Sequence, residues 1–290
     1  MIQSRTVQET LHNKRRDAQV LASKLRLDYK SGAPIELDDV KLLSMARDAN
    51  KFRFRVPIEK CVWGHGWRYL PGEHPFINFY FLEESLDEFY QKFCPANFLE
   101  GITFDSKNRN KSVPKRFWID KIIPDTPLCE GGLNEEVYGK KTHGPVHPKK
   151  LELEKSRLRT VQKSIRTYGY DPLISDHDLY GHFLVKKDDF LFVVIGGAHR
   201  SAALVDLGWT TLPAVFLMGL YSMPRIVSEW NLDFLSGIAY SEEELPIIQT
   251  VFHAYFDEDL REKRRRRLGT WMESARAKVT PAAASSIVVF

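Results

Sequence analysis

The pattern with the clearest chemical meaning is a pair of glycines between an apolar run and a His-Arg-Ser sequence. Residues 190–195 (FLFVVI) predict a buried strand, and Gly196 and Gly197 follow it directly. Glycine lets the chain turn sharply and lets an anion approach the backbone amides, because no Cβ is in the way. A helix that begins there adds unpaired N–H groups and the positive end of its dipole. The pattern therefore predicts a site for the phosphates of a nucleotide.

The His-Arg pair supplies the side-chain donors of this predicted site. Arg200 can hold two phosphate oxygens at once, and His199 adds a second donor. A tight strand–helix connection with a solvated arginine is the structural alternative. The candidate nucleotide-binding residues are Gly196, Gly197, Ala198, His199, Arg200 and Ser201.

Phosphoryl transfer also needs a group that orients or deprotonates the accepting hydroxyl, for which one carboxylate within hydrogen-bond reach is enough. Glu154 is the first candidate, because it falls near the apolar stripe of a predicted helix with Arg157 beside that stripe. Asp120, between apolar residues of a predicted strand, is the second candidate. A salt bridge or a helix cap explains Glu154 at least as well, and Asp120 can simply face solvent. The other acids that stay open are Asp125, Glu130, Glu135 and Glu136.

Residues 139–148 (GKKTHGPVHP) hold two histidines, two lysines and two prolines in ten positions. They predict either a loop that closes over phosphate or acceptor through His143 and His147, with Arg157 nearby, or a polar surface connection. Both interpretations have equal support. A metal site is not expected, since Pro145 excludes a regular helix between the two histidines and no cysteine or third histidine is near.

Periodicity predicts the elements that would position these residues. Leu158, Val161 and Ile165 recur at three- and four-residue steps, so an amphipathic helix is expected over 150–168, ending at Gly169. The other elements expected around the glycine pair are strands over 182–185, 190–195 and 212–217 and a helix over 201–207. Elsewhere we expect helices over 7–25 and 38–49, a short helix from Ser85 that Pro95 ends, a helix over 241–255, and strands over 52–56, 76–81, 117–123 and near Leu173.

The same patterns divide the chain into five parts and predict a mixed α+β fold. The parts are a helical segment (1–50), an aromatic α+β module that ends in a polar linker at 101–115 (51–115), a nucleotide-binding domain (116–220), a helical extension (221–275) and a flexible tail (276–290).

The succession of motifs over residues 116–218 resembles the ParB/sulfiredoxin superfamily. In that family a helix ends in a glycine turn, a strand runs into a G-x-H-R or G-x-R-R box, and an "A…LG…(I/V)P(A/V)" pattern follows. The matching residues here are Tyr168-Gly169, Gly197-Ala198-His199-Arg200, Ala202-Ala203, Leu207-Gly208 and Leu212-Pro213-Ala214-Val215. The resemblance implies a compact α/β domain whose box cradles the phosphates of a nucleotide. Members include ATP-using sulfiredoxins, CTP-binding partition proteins and free-serine kinases.

Departures from the family patterns narrow the expected activity. Sulfiredoxins carry a reactive cysteine where this chain has Ala198, so sulfinyl reduction is not expected. Partition proteins follow the box with E-N-x-x-R and a helix-turn-helix, whereas residues 219–227 read GLYSMPRIV. The kinase-like branch needs only a nucleotide clamp, an acceptor pocket and a carboxylate, all of which this sequence can supply.

Composition excludes several classes of protein. With 18 Phe, 11 Tyr and 6 Trp among 290 residues, the chain is globular and not disordered. Its longest apolar run is far shorter than the ~20 residues of a membrane-spanning helix, and the polar first residues predict no secretory signal. Three cysteines without metal-ligand spacing fit a reducing compartment, so we expect a cytoplasmic protein. A net charge of +4 argues against a polyelectrolyte binder.

Two further segments leave alternatives open. The aromatic residues around Trp63 and Trp67 could stack on a sugar or base, although an aromatic core is the favoured interpretation. The basic run from Arg264 to Arg267 could contact a polyanion weakly, although such a run is more often a solvated helix end. The acids at 257–259 and the lack of interleaved aromatics make nucleic acid a less attractive partner.

Residues and resemblance together favour an ATP-dependent phosphotransferase (kinase) that acts on a small hydroxyl-bearing acceptor, such as a sugar or glycan intermediate. ATP or another nucleotide, with Mg²⁺, is the expected cofactor. Proteins that resemble this one, with an aromatic N-terminal part before a G-x-H-R domain, tend to occur with surface-polysaccharide genes. That resemblance implies a glycan as the acceptor. The alternative is a nucleotide-switched, ParB-like protein that associates with DNA or a membrane, or a ParB-like nuclease, without kinase activity.

Overall fold

A computed structural model of the protein describes residues 34–43, 53–113, 129–130, 133–170, 179–216, 226–232, 241 and 243–284. The predictions that fall outside these residues are the helix over 7–25, the strand over 117–123 with Asp120, the candidate Asp125 and the strand near Leu173.

The described residues form helices, strands and short 3₁₀ turns. The helices are α1 Leu37–Leu43, α2 Pro75–Phe81, α3 Ser85–Lys92, α4 Phe98–Thr103, α5 Glu135–Tyr138, α6 Pro148–Tyr168, α7 Ala198–Asp206, α8 Leu245–Phe256 and α9 Glu258–Ala284. The strands are β1 Arg53–Pro57, β2 Cys61–Trp63, β3 Trp67–Arg68, β4 Cys129–Glu130, β5 Leu133–Asn134, β6 Leu179–Lys186, β7 Asp189–Gly196, β8 Thr211–Phe216 and β9 Ile226–Ser228. The 3₁₀ turns are Ile58–Lys60, Ser106–Asn108 and Glu229–Asn231.

Seven of the strands form one mixed sheet in the order β1-β8-β6-β7-β2-β3, with β9 also paired to β6. β6 and β7 form an antiparallel hairpin in which Val185 faces Phe190. β2 runs parallel to β7 and β8 runs parallel to β6, while β1 is antiparallel to β8. This mixture of helices and one mixed sheet confirms the predicted α+β class.

The elements predicted around the glycine pair are confirmed. The amphipathic helix is α6, and Gly169 ends it with a φ of 77°. The two strands of the predicted hairpin are β6 and β7, and the helix and strand that follow are α7 and β8.

The sheet unites segments that the sequence assigned to separate parts of the chain. β1, β2 and β3 come from the predicted module 51–115, but β1 pairs with β8 and β2 pairs with β7. The expected boundary at residue 115 therefore does not separate two sheets. The cause is that strands of two to five residues do not form a stable sheet by themselves, and here β1 is stabilised by pairing with β8 and β2 by pairing with β7. β9 likewise lies inside the predicted helical extension.

Local predictions in the aromatic segment need correction. The strand predicted over 76–81 is wrong, because these residues belong to α2. Pro75 occupies the start of that helix, and the His74 Nδ1 atom accepts a hydrogen bond from the Phe76 amide at 3.1 Å. The run is almost wholly apolar, so it carries no period that distinguishes strand from helix. The predicted linker at 101–115 also contains the end of α4 and a 3₁₀ turn, and α9 extends into the predicted tail as far as Ala284.

Two hydrophobic clusters cover the two faces of the sheet. Phe54, Phe183 and Phe192 lie in the larger cluster, together with residues of α2, α3, α6, α7 and α9. The intervening strand residues Leu184 and Leu191 point to the other cluster, which contains residues of α4 and α8. Within the described residues, no helix has the length and apolar content that crossing a membrane requires.

Candidate functional site

The glycine pair forms the turn between β7 and α7, and the packing of β6 explains why glycine is needed there. Gly197 is the N-cap of α7 with φ 89° and ψ 22°, a conformation that L side chains rarely adopt. A Cβ at Gly197 would lie 2.3 Å from Leu179 Cδ2, and one at Gly196 would lie 2.1 Å from the Tyr180 ring. Both glycines therefore serve the close approach of the hairpin, whether or not an anion binds above them.

His199 and Glu154 are joined across the α6–α7 contact. The Nε2 atom of His199 lies 2.5 Å from Oε2 of Glu154. The imidazole ring also stacks on Phe76 of α2, with centroids 4.9 Å apart and an interplanar angle of 12°. These two contacts fix both the position and the plane of the ring.

Glu154 is fully buried and lies close to three basic side chains. Lys150, one helical turn earlier and also fully buried, places its Nζ 3.1 Å from Oε1 of Glu154. The Nη1 atom of Arg157 is 3.8 Å from the same oxygen. Burial would raise the pKa of Glu154, but the His199 hydrogen bond and the nearby charges of His199, Lys150 and Lys141 hold that pKa below its usual range. The carboxylate is therefore ionised at neutral pH.

This geometry changes the expected role of Glu154. The carboxylate has no solvent exposure, and its two oxygens are directed at His199 and Lys150. A group in this position does not contact an acceptor in the described conformation, whereas the His199 side chain keeps 14% of its surface exposed. In this conformation His199 therefore separates Glu154 from any group that could approach from solvent.

Positive charge accumulates at the start of α7. Lys141, Lys150 and Arg157 all lie close enough to Glu154 to interact electrostatically with its carboxylate. Arg200 is half-buried in the first turn of α7. The Arg200 Nη2 atom lies 3.4 Å from the position that a Cβ on Gly197 would occupy, so the guanidinium stands beside the turn. Together with the first amides of α7, which have no partner within the helix, these cations suit an anion.

The remaining residues of the predicted box face inward. Ala198 and Ser201 are fully buried, so only their backbone could contact a ligand.

The sequence patterns did not identify Lys150 and Phe76 as parts of this site. The i, i+4 spacing of Lys150 and Glu154 was a usable signal for the ion pair, but Phe76 could not be placed once its helix had been predicted as a strand.

The loop predicted as a possible lid is fastened to α3. The Gly144 amide donates to the Phe93 carbonyl at 2.8 Å, and the Tyr90 hydroxyl donates to the Lys141 carbonyl at 2.8 Å. The His143 ring lies edge-on to the buried His65 ring at 5.4 Å, and burial lowers the pKa of His143 to about 4.

His147, the second histidine of this loop, caps α6. Its Nδ1 atom accepts a hydrogen bond from the Lys149 amide at 3.2 Å. Both histidines thus have structural contacts, which fit a fixed surface connection, and their contact with a substrate stays a prediction.

The basic run presents fewer side chains to a polyanion than the sequence indicates. Arg264, one of the four arginines that could contact a polyanion, is buried and donates to the carbonyls of Ile102 and Ala254 at 2.9 and 3.1 Å. Arg265 and Arg266 are exposed, but both pair with Glu262 one turn earlier, at 2.7 and 2.8 Å. The period of the helix turns one arginine of the run into the core, which composition alone does not show.

The aromatic segment belongs to the core. Trp63 and Trp67 are almost completely buried, as the favoured interpretation expected. Their rings pack on Phe76, Phe89 and Phe93, so neither offers a free face to a sugar or base.

No protein-family model matches the chain, and no curated protein matches it. The resemblance to the ParB/sulfiredoxin superfamily therefore stays a prediction, carried by the residues quoted above.

Proposed function

We propose that the chain binds a nucleotide by its phosphates at the start of α7 and transfers the terminal phosphoryl group to a small hydroxyl-bearing acceptor. The observation that carries the proposal is the His199–Glu154 contact of 2.5 Å, set among Lys141, Lys150, Arg157 and Arg200 at a helix N-terminus. The buried ionised carboxylate fixes the histidine, and the arginine follows it in the first turn of α7, so one bound anion would lie within range of two cationic side chains.

The order of elements supports the family resemblance. Helix α6 is followed by the β6–β7 hairpin, the glycine turn, α7 and β8, which is the order that the G-x-H-R pattern implies. The choice of a sugar or glycan intermediate as acceptor, and of ATP as donor, rests on that resemblance.

The chemical step needs little from the protein besides position and charge. The acceptor oxygen bonds to the γ-phosphorus, the bond from that phosphorus to the bridging oxygen breaks, and the diphosphate leaves with the electron pair while water takes the acceptor proton. His199, Arg200 and the first amides of α7 would neutralise the charge on the transferred group. Glu154 would keep the imidazole oriented, rather than act as the base itself.

Mg²⁺ has no ready set of protein ligands among the described residues. The carboxylate nearest to the turn, Glu154, is already engaged by His199 and Lys150, and no described group of three or more His, Cys, Asp or Glu side chains could hold an ion. These residues do not fit a protein-held Mg²⁺ ion, so no step is assigned to one. An ion carried on the nucleotide's own phosphates fits the usual behaviour of Mg²⁺.

Nucleotide binding is tested by calorimetry and thermal shift with ATP, ADP, CTP and GTP, with and without Mg²⁺. Arg200→Gln should weaken binding about 10- to 100-fold, because a hydrogen bond to a charged group contributes roughly 1.5–3 kcal/mol. Arg166→Gln is the matched control, since Arg166 lies 4.0 Å from Asp206 at the other end of α7. Equal affinities of the two variants, or no nucleotide binding by the wild type, would contradict the proposed site.

Transfer is tested separately with labelled ATP and a pool of sugars, glycan fragments and amino acids. Labelled product that depends on Arg200 supports the kinase. Tight nucleotide binding without transfer to any acceptor would favour the nucleotide-switched binding protein instead.

A further inference from the structure

A second concentration of cations lines a cleft formed by α3, α4 and α9, apart from the proposed phosphate site. The cleft has a volume of about 270 Å³. The residues that line it are Lys92, Phe93, Cys94, Pro95, Glu100, Phe104, Ser106, Arg109 and Arg267. Three of these side chains are cationic and one is acidic; Lys92 is paired with Glu88 at 2.7 Å and Arg109 with Glu100, which leaves Arg267 as the cation of the lining without a described carboxylate partner. None of them belongs to the site at α7.

We call this cleft the Arg109–Arg267 cleft. Its two arginines differ in their contacts. Arg109 places its Nε 3.2 and 3.3 Å from the two Glu100 oxygens, and 57% of its side chain is exposed. Arg267 is exposed and lies over the Phe104 ring at 5.3 Å, and within the described part of the chain no carboxylate is paired with it. Arg267 thus has an unneutralised guanidinium at a concave surface.

The floor of the cleft is built at a cost in backbone energy. Phe104 has φ 51°, and among the described residues it is the one non-glycine with a positive φ. Its carbonyl accepts a hydrogen bond from Lys263 Nζ at 2.9 Å, which ties this turn to α9. Strained residues of this kind persist where the surroundings hold them, and they concentrate at binding sites.

Charge pairing decides between a polyanion and a small anion. A polyanion would need a continuous track of free cations along α9, but Arg264 is buried and Arg265 and Arg266 share the single carboxylate of Glu262. Arg267 has no carboxylate partner among the described residues, and it lies in a cleft of about 270 Å³, smaller than the roughly 300–1,000 Å³ of pockets for drug-sized ligands.

We propose that the Arg109–Arg267 cleft binds a phosphate monoester of a small molecule, with the two guanidinium groups on the phosphate. A monoester carries about two negative charges near pH 7, and planar guanidinium groups match its oxygens. The Phe93 and Phe104 rings and the Ser106 hydroxyl are placed to contact the organic part.

Cys94 provides a reporter within the cleft, since its thiol is half-buried there while Cys61 is fully buried. The experiment measures the rate at which iodoacetamide labels Cys94, read by peptide mass spectrometry, during titration with inorganic phosphate or glucose 6-phosphate against sodium chloride of equal ionic strength. Phosphate and the sugar phosphate should slow labelling at least about fivefold, and sodium chloride should not.

Three variants test which residues are responsible. Arg267→Gln and Arg109→Gln should raise the half-protecting concentration about tenfold or more, whereas Arg266→Gln, one position away on the exposed face of α9, should leave it unchanged. Equal behaviour of all three, or no protection of the wild type, would overturn the proposal.

Two further arms separate this site from other sources of protection. Protection of Cys94 should persist in Arg200→Gln, because Arg200 belongs to the site at α7 and not to this cleft. The proposal for the cleft therefore stands even if the proposed function fails. Loss of protection in Arg200→Gln would assign the effect to the site at α7. Protection by heparin but not by the small phosphates would overturn the proposal in favour of a macromolecular polyanion.

Discussion

At the scale of single residues, the buried Lys150–Glu154 pair is the feature on which the proposed site depends. Lys150 has no solvent exposure, and the described contact to Glu154 is 3.1 Å. Taking one partner from a buried pair leaves an uncompensated charge, whereas removing both can be nearly neutral. The pair therefore allows the orienting role of Glu154 to be separated from its effect on stability.

Glu154→Gln alone should lower the free energy of unfolding by about 3–5 kcal/mol, because Lys150 is left buried without its counter-charge. The double variant Glu154→Gln with Lys150→Met should recover most of that loss, since both charges are gone. In the double variant nucleotide affinity should still be several-fold lower, because His199 has lost the anion that orients it. Urea unfolding and calorimetry on the same preparations measure the two effects.

A different outcome would restore the role first predicted for Glu154. If the double variant binds ATP as the wild type does but transfers phosphate 10²- to 10⁴-fold more slowly, Glu154 is a general base, for which that loss is typical. The carboxylate would then have to become accessible during turnover.

At the scale of elements, α9 is fastened to the β2–β3 turn by a buried arginine. The Arg264 guanidinium would lie 2.8 Å from a Cβ on Gly66, so glycine is needed at that turn, which has φ 86°. Burial lowers the pKa of Arg264 to about 10, and its NH2 group donates to two carbonyls from α4 and α8. Arg264 thus links α9 to its neighbour α8 and to α4, which is far away in sequence.

Arg264→Met should keep most of the packed volume but leave the Ile102 and Ala254 carbonyls without this donor. Each buried acceptor that loses its partner costs roughly 1–3 kcal/mol, partly offset because a buried charge is also removed, so we expect a net loss of about 2–4 kcal/mol. Arg265→Met, at an exposed and paired position, should change stability by less than about 0.5 kcal/mol. Urea unfolding compares the two, and equal losses would show that Arg264 does not link these elements.

At the scale of the whole molecule, four of the described histidines have lowered pKa values; His65, His74 and His182 are buried, and His143 is half-buried. Burial lowers the pKa of His65, His74, His143 and His182, to about 4 for His143 and about 3 for His182. Above pH 6.5 these histidines are neutral in both the folded and the unfolded chain and do not affect stability. Below pH 6.5 the unfolded chain takes up protons that the folded chain does not, so stability falls as the pH falls.

Each such histidine should cost about 1.4 kcal/mol per pH unit between pH 6.5 and its folded pKa. Together they predict a loss of stability as the pH falls below 6.5. His182→Leu removes one of these groups, together with an Nε2 atom that has no described hydrogen-bond partner. The free energy of unfolding of this variant, measured from pH 7 to pH 5, should fall less steeply than that of the wild type, by about 1.4 kcal/mol per pH unit. Parallel curves for the variant and the wild type would contradict the assignment.

The sequence by itself determined the elements that carry a clear period and the class of the fold. The three- and four-residue steps around Leu158 predict α6, because burial of one face imposes this period. The short apolar run before Gly196 predicts β7, because a strand covered on both faces is apolar throughout. It also identified His199, from the glycine pair before it, and Glu154, from its place near an apolar stripe, as candidate residues.

Only the tertiary structure decided how those residues meet. The 2.5 Å contact of His199 with Glu154, the burial of Arg264 and the union of β1 to β3 with the hairpin join residues that are 10 to 162 positions apart. Local sequence patterns record which side of an element is apolar but not which element covers it. The helix at 75–81 was missed for a related reason, because a run buried on almost every side has no polar face to reveal its period.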